Sequence, residues 1–179
     1  MPVPPRASPS RLLVAAGAIA ATLPVASLLN RFAAVPLREA SAALGAGMLR
    51  AGGIAAVRTG TLLETGRGRF DVLVACSGGK FLAATLGLGA ALAVLGSGSR
   101  ARRFALALVA VPLAIAGNAG RVAGLVLLGP PVDPVAHTAL GVWCFALVAL
   151  ALTALAGPVQ VSAESAAPSA APAATTEAR

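Results

Sequence analysis

Three residues of unlike chemistry stand at the ends of long apolar stretches. They are Cys76 in Ala75-Cys76-Ser77-Gly78, Arg121 in Asn118-Ala119-Gly120-Arg121, and His137 in His137-Thr138-Ala139-Leu140-Gly141. A deprotonated thiol is a nucleophile, an imidazole moves protons near neutral pH, and a guanidinium holds an oxyanion or a carbonyl. Ionisable groups in or beside membrane spans are costly to keep, so their default reading is functional. Two neighbours support them. Ser77 is expected to cap the helix that follows Cys76, whose N-terminal partial charge favours thiolate. Asn118 lies one turn before Arg121 and is placed to assist it in holding an oxyanion or a substrate carbonyl.

Taken singly, each residue has a plainer reading. Cys76 suits a small buried hydrophobe, Arg121 a side chain snorkelling to lipid phosphate, and His137 a capping or interface histidine. Cys144, mid-span between Trp143 and Phe145, has nothing in the sequence to activate it.

The elements that position these groups follow from hydropathy. Residues 1–11 form a Pro/Ser-rich N-terminal tail, and residues 12–156 form one membrane domain. Residues 157–179 are Ala/Pro/Ser/Thr-rich and are expected to be disordered. Leu12–Leu29, interrupted by Pro24, reads as a first span or as a signal peptide cleaved near Val25-Ala26-Ser27. Lys80–Leu95, Phe104–Leu128 and Val135–Ala156 read as further spans. Pro36 opens an amphipathic segment with Leu37, Leu44 and Met48 on one face, expected to lie in the interface. Thr61-Leu62-Leu63-Glu64 and Arg69-Phe70-Asp71-Val72-Leu73-Val74 read as a hairpin around Thr65-Gly66-Arg67-Gly68. Asp133-Pro134 is a cap and first helical residue for the last span. The expected fold is therefore an all-α integral membrane protein. It is a four-helix transmembrane bundle with an extracytoplasmic amphipathic helix and a short β-hairpin.

Composition agrees with a membrane protein. Of 179 residues 58% are apolar and 11% charged, with a mean hydropathy of +0.86, whereas soluble chains are roughly a quarter charged. Abundant Ala and Gly permit close helix approach in lipid. The net charge of +8 comes mainly from scattered arginines beside apolar segments. That pattern fits anionic lipid headgroups of the bilayer and excludes a nucleic-acid partner. The two cysteines make no metal-ligand spacing, so neither a metal nor another cofactor is expected. Ser77-Gly78-Gly79-Lys80 lacks the remainder of a phosphate loop, and Gly87-x-Gly89 lacks the remainder of a dinucleotide fingerprint.

Arg100, Arg102 and Arg103 form a short basic loop, which belongs in the cytoplasm. With four spans, both termini are then inside and Cys76, Arg121 and His137 all fall in the outer third of the bilayer. The rule is crossed by six arginines between Arg31 and Arg69, and one more span over residues 40–57 would invert the parity.

In combination the three motifs resemble the exosortase/archaeosortase family. The order Cys, Arg, His, each at the outer end of a separate span, is similar, as are the hairpin and amphipathic stretch before the cysteine. The resemblance covers roughly residues 37 to 150. It implies a membrane cysteine transpeptidase or peptidase of the plasma (inner) membrane, multi-pass, with its active site facing outward. The implied partner is a membrane-anchored substrate protein with a C-terminal sorting signal. By resemblance Cys76 is the nucleophile, His137 handles protons, Arg121 holds the oxyanion or orients substrate, and water or an amine resolves the thioester. Two features depart from the family pattern. Gly79-Lys80 follows Cys-Ser-Gly where an apolar residue and Arg are more usual, and four spans stand where many members have about eight. Two other functions fit the same residues: a noncatalytic membrane subunit whose polar groups serve helix packing or partner binding, and a thiol acyltransferase.

Overall fold

Pro24 decides how the first apolar run folds. Its ring displaces the carbonyl four residues earlier, Ala20. Helix α1 (Pro9–Ala20) ends there, and α2 (Thr22–Phe32) continues the same path. Residues 9–32 remain apolar and long enough to cross a membrane as one 24-residue unit. The computed structural model describes residues 9–73, 76–96, 99–129 and 133–157. Most of the N-terminal tail and the C-terminal tail expected at residues 157–179 lie outside them.

After α2 come α3 (Ala34–Ala51), three strands β1 (Ala56–Thr59), β2 (Leu62–Thr65) and β3 (Gly68–Asp71), then α4 (Gly79–Leu95), α5 (Arg100–Leu128) and α6 (Pro134–Ala156). The described chain is thus mainly helical, with a small sheet. Three helical stretches are long and apolar enough to cross a membrane: residues 9–32, 100–128 and 134–156. The remaining expected span falls on α4, a shorter apolar helix. Helix α4 has 17 residues, at the lower end of the roughly 17–25 that a membrane-spanning helix uses. It is the inner helix of the bundle, packed against α1, α2, α5 and α6. Gly87 and Gly89 make that possible. A Cβ on Gly87 would meet Thr22 Cγ2 at 2.3 Å, and one on Gly89 would meet Ala110 Cβ at 3.3 Å.

Helix α3 carries the expected apolar face outward and buries a face of small residues. Ser41, Ala42, Gly45, Ala46 and Leu49 are inside, while Leu44 and Met48 are exposed. The small residues let α3 approach α5 closely, and a Cβ on Gly45 would lie 3.3 Å from the Ala119 carbonyl oxygen.

The expected hairpin is a three-stranded antiparallel meander, β1-β2-β3, with Ala56 opposite Thr65 and Leu62 opposite Asp71. Its inward residues Leu63 and Val72 are fully buried and join Ala46, Leu49, Val122 and Leu125 in one core cluster. Arg38 of α3 ties the sheet down. It donates to the Val72 carbonyl and to Thr61 Oγ1, and pairs with Asp71 at 3.5 Å. Arg67 donates to the Leu127 carbonyl near the end of α5. A second, apolar cluster gathers Phe81, Leu82, Ala110, Ala114, Val148 and Leu152 between α4, α5 and α6.

Candidate active site

The sheet, α5 and α6 deliver three side chains to one place. Cys76 sits in the tight turn between β3 and α4, its N–H donating to the Leu73 carbonyl at 2.8 Å. His137 is in the first turn of α6. Asp133 caps that helix, accepting from the Ala136 N–H at 3.1 Å, and Pro134 occupies the first turn, as the sequence led one to expect. The Cys76 Sγ lies 3.2 Å from His137 Nε2. Arg121 of α5 places its Nη2 at 3.1 Å from His137 Nε2 and 3.2 Å from Nδ1. The three residues singled out from the sequence therefore meet, though 61 positions separate Cys76 from His137.

The glycine of the third motif acquires a reason. A Cβ on Gly141 would stand 3.1 Å from Arg121 Nε. The bare backbone of α6 is what leaves room for the guanidinium beside His137.

The electrostatics set opposing demands. Cys76 is only 4% exposed. Burial pushes its thiol above the ordinary range, and the Arg121 charge partly offsets this. Guanidinium nitrogens only donate, so Arg121 bonds whichever ring nitrogen carries no proton. When Nδ1 carries the proton, Nε2 faces both a thiol that can give it a proton and a guanidinium that competes for the same lone pair.

Asn118 and Ser77 hold the turn that carries Cys76. Asn118, 1% exposed, donates from Nδ2 to Ser41 Oγ at 2.8 Å and to the Cys76 carbonyl at 3.0 Å. Both amide hydrogens are engaged, so it holds the Cys76 backbone. Its Oδ1 is buried and has no hydrogen-bond partner among the described residues. Gly78 has φ +87°, and a Cβ there would come within 2.7 Å of Asn118 Nδ2. Only glycine lets the turn take this path beside Asn118. Ser77 Oγ donates to Asn30 Oδ1 at 3.1 Å and accepts from the Gly79 N–H at 3.4 Å. Asn30 and Ser41 were not foreseen. Their partners lie 47 and 77 positions away, and no local spacing signals such pairs.

Lys80 is exposed on the first turn of α4 and makes no ion pair among the described residues. Cys144, in α6, packs against the apolar cluster. No group of three or more His, Cys, Asp and Glu among the described residues is placed to hold a metal.

Comparison with known proteins gives one positive finding. The model of the transmembrane exosortase family matches residues 6–155. The searches of curated proteins and of solved structures gave no match.

Proposed function

The chain belongs to the transmembrane exosortase family, and on that premise we propose that Cys76 is the nucleophile of a membrane-embedded transpeptidase or peptidase. The family is in general one of membrane cysteine peptidases and transpeptidases, and this chain is a multi-pass membrane protein. The single observation that supports the finer reading is the 3.2 Å separation of Cys76 Sγ and His137 Nε2, with Arg121 at 3.1 Å.

In the proposed reaction a membrane-anchored protein with a C-terminal sorting signal presents its scissile amide beside Cys76. His137 Nε2 takes the thiol proton as Sγ attacks the carbonyl carbon, forming the C–S bond. Negative charge then develops on the carbonyl oxygen. Arg121 turns from the ring to that oxygen, because an imidazolium no longer offers it a lone pair. The C–N bond breaks as His137 returns the proton to the leaving amine. Water or an acceptor amine, deprotonated by His137, then attacks the thioester and restores the thiol. The same guanidinium that contacts the resting ring thus stabilises the intermediate, which ties proton transfer to the arrival of substrate.

We place the site at the outer face of the plasma (inner) membrane, since the basic Arg100–Arg103 segment at the far end of α5 belongs in the cytoplasm. The test is a Cys76→Ala variant in a host carrying the cognate target. Processing should stop while the protein still accumulates in the membrane. Continued processing would sink the proposal and favour a noncatalytic subunit.

A further inference from the structure

Helix α2 is exposed over much of its apolar surface, with Leu23, Leu28 and Phe32 all facing outward. Its polar side chains mostly stay local. Ser27 Oγ bonds the Leu23 carbonyl of its own helix, and Arg31 lies over the Phe32 ring. Asn30 is different: its Oδ1 accepts from Ser77 Oγ at 3.1 Å, beside the nucleophile. An amide in an apolar helix is expensive unless it finds a partner.

The contact is built closely. Ser77 is 1% exposed. A Cβ on Gly79 would come within 2.3 Å of Asn30 Oδ1, so the start of α4 meets the carboxamide directly. With its proton committed to Asn30, the Ser77 hydroxyl turns a lone pair to the Gly79 N–H at 3.4 Å. That N–H belongs to the first turn of α4, where no intrahelical acceptor exists. The opposite side of the turn is held by Asn118 on the Cys76 carbonyl.

We propose that Asn30 is a positioning residue for the Cys76 turn, fixing the Ser77 hydroxyl and through it the aim of the thiol at His137. This rests on the nucleophile reading above and extends it to the first apolar unit of the chain. Asn30 touches no reacting atom.

The test is alkylation of the full-length protein by iodoacetamide in lipid vesicles across a pH series, with Cys76 and Cys144 followed separately by peptide mass. Asn30→Ala should slow Cys76 labelling about 10-fold near neutral pH, since displacements of ~1 Å at a reacting group cost up to about 100-fold. Cys144 should label as in the wild type. Asn30→Asp, which keeps an acceptor of the same shape, should restore the rate to within about 3-fold. Asn30→Ala with Ser77→Ala should be no slower than either alone, because both act through one bond. An unchanged Cys76 rate in Asn30→Ala, equal acceleration at both cysteines, or additive losses in the double variant would overturn the inference. His137→Ala, run alongside, tests the nucleophile reading by itself. A Cys76 profile identical to wild type in that variant would remove that reading whatever Asn30 does.

Discussion

The two cysteines share one chemistry and occupy opposite environments. Cys144 lies within α6 against an apolar cluster that includes Phe81 and Val148, with Phe81 in edge-on contact with Phe145. Cys76 lies where the sheet hands over to α4, within reach of His137 and with Asn118 on its carbonyl. Cys76 is buried and Cys144 only partly so, so access to solvent is not what would make Cys76 reactive. What differs is the supply of polar neighbours. Around Cys144 the helices meet through hydrocarbon. Around Cys76 they meet through hydrogen bonds from α2, α3, α5 and α6. Such bonds are directional, and an unmade one in an apolar setting is costly. They can therefore fix a turn more sharply than packing alone.

The largest expected effect separates these regions outright. Cys76→Ala should lower processing by about 10⁴-fold or more, as loss of a covalent nucleophile does. Cys144→Ala should leave it within about 2-fold, a small cavity term away from the chemistry. Processing assays on membrane-inserted protein check both, and equal losses would erase the contrast. His137→Ala should cost about 10² to 10⁴-fold, the range of general acid–base catalysis. Arg121→Lys should cost about 10² to 10³-fold, since an ammonium does not reproduce the planar fork.

The pH dependence carries a definite sign. Burial raises the Cys76 thiol and Arg121 lowers it in part. Thiolate is thus disfavoured in the substrate-free protein, and Cys76 alkylation should climb at higher pH than for an ordinary thiol. Arg121→Gln removes the lowering influence, so the midpoint should move further up. A midpoint that moves down would contradict this account of the site.

Smaller effects concern the scaffold. Leu63→Ala removes a fully buried side chain of the sheet that leads to Cys76. It should cost about 2–5 kcal/mol in thermal or denaturant unfolding. Gly78→Ala forces a φ of +87° on a residue with a Cβ and presses on Asn118. About 1–3 kcal/mol of stability should be lost, with processing reduced as well. Arg69→Ala breaks an exposed pair with Glu64 at 2.9 Å and should change stability by less than about 1 kcal/mol.

How far the sequence spoke depended on the range of each interaction. The Asp133-Pro134 start of α6 was legible because capping is local. The break at Ala20–Thr22 follows from Pro24 for the same reason. Cys76, Arg121 and His137 were legible as residue types that an apolar stretch has little structural use for. Strand β1 was not, because only Ala56 of its four residues is buried, so no alternation marks it. The face that α3 turns to α5 was not legible for a physical reason. Hydropathy favours Leu37, Leu44 and Met48, but close helix contact selects Ser41, Ala42, Gly45 and Ala46. The apolar character of α4 was legible, but the helices packed around it on several sides were not. Asn30 and Ser41 gave no signal at all, since each acquires its meaning from a partner that only the fold brings near.

The central claim is that Cys76, and not Cys144, forms a covalent bond to substrate. The direct measurement is acid-quenched mass spectrometry of the full chain reacting in vesicles with a membrane-anchored target bearing a C-terminal sorting signal. The account predicts a hydroxylamine-labile adduct on the Cys76 peptide, equal in mass to the N-terminal part of the target. It also predicts that the adduct is lost in Cys76→Ala and retained in Cys144→Ala. Cleavage that proceeds in Cys76→Ala, or an adduct carried by Cys144, would contradict it.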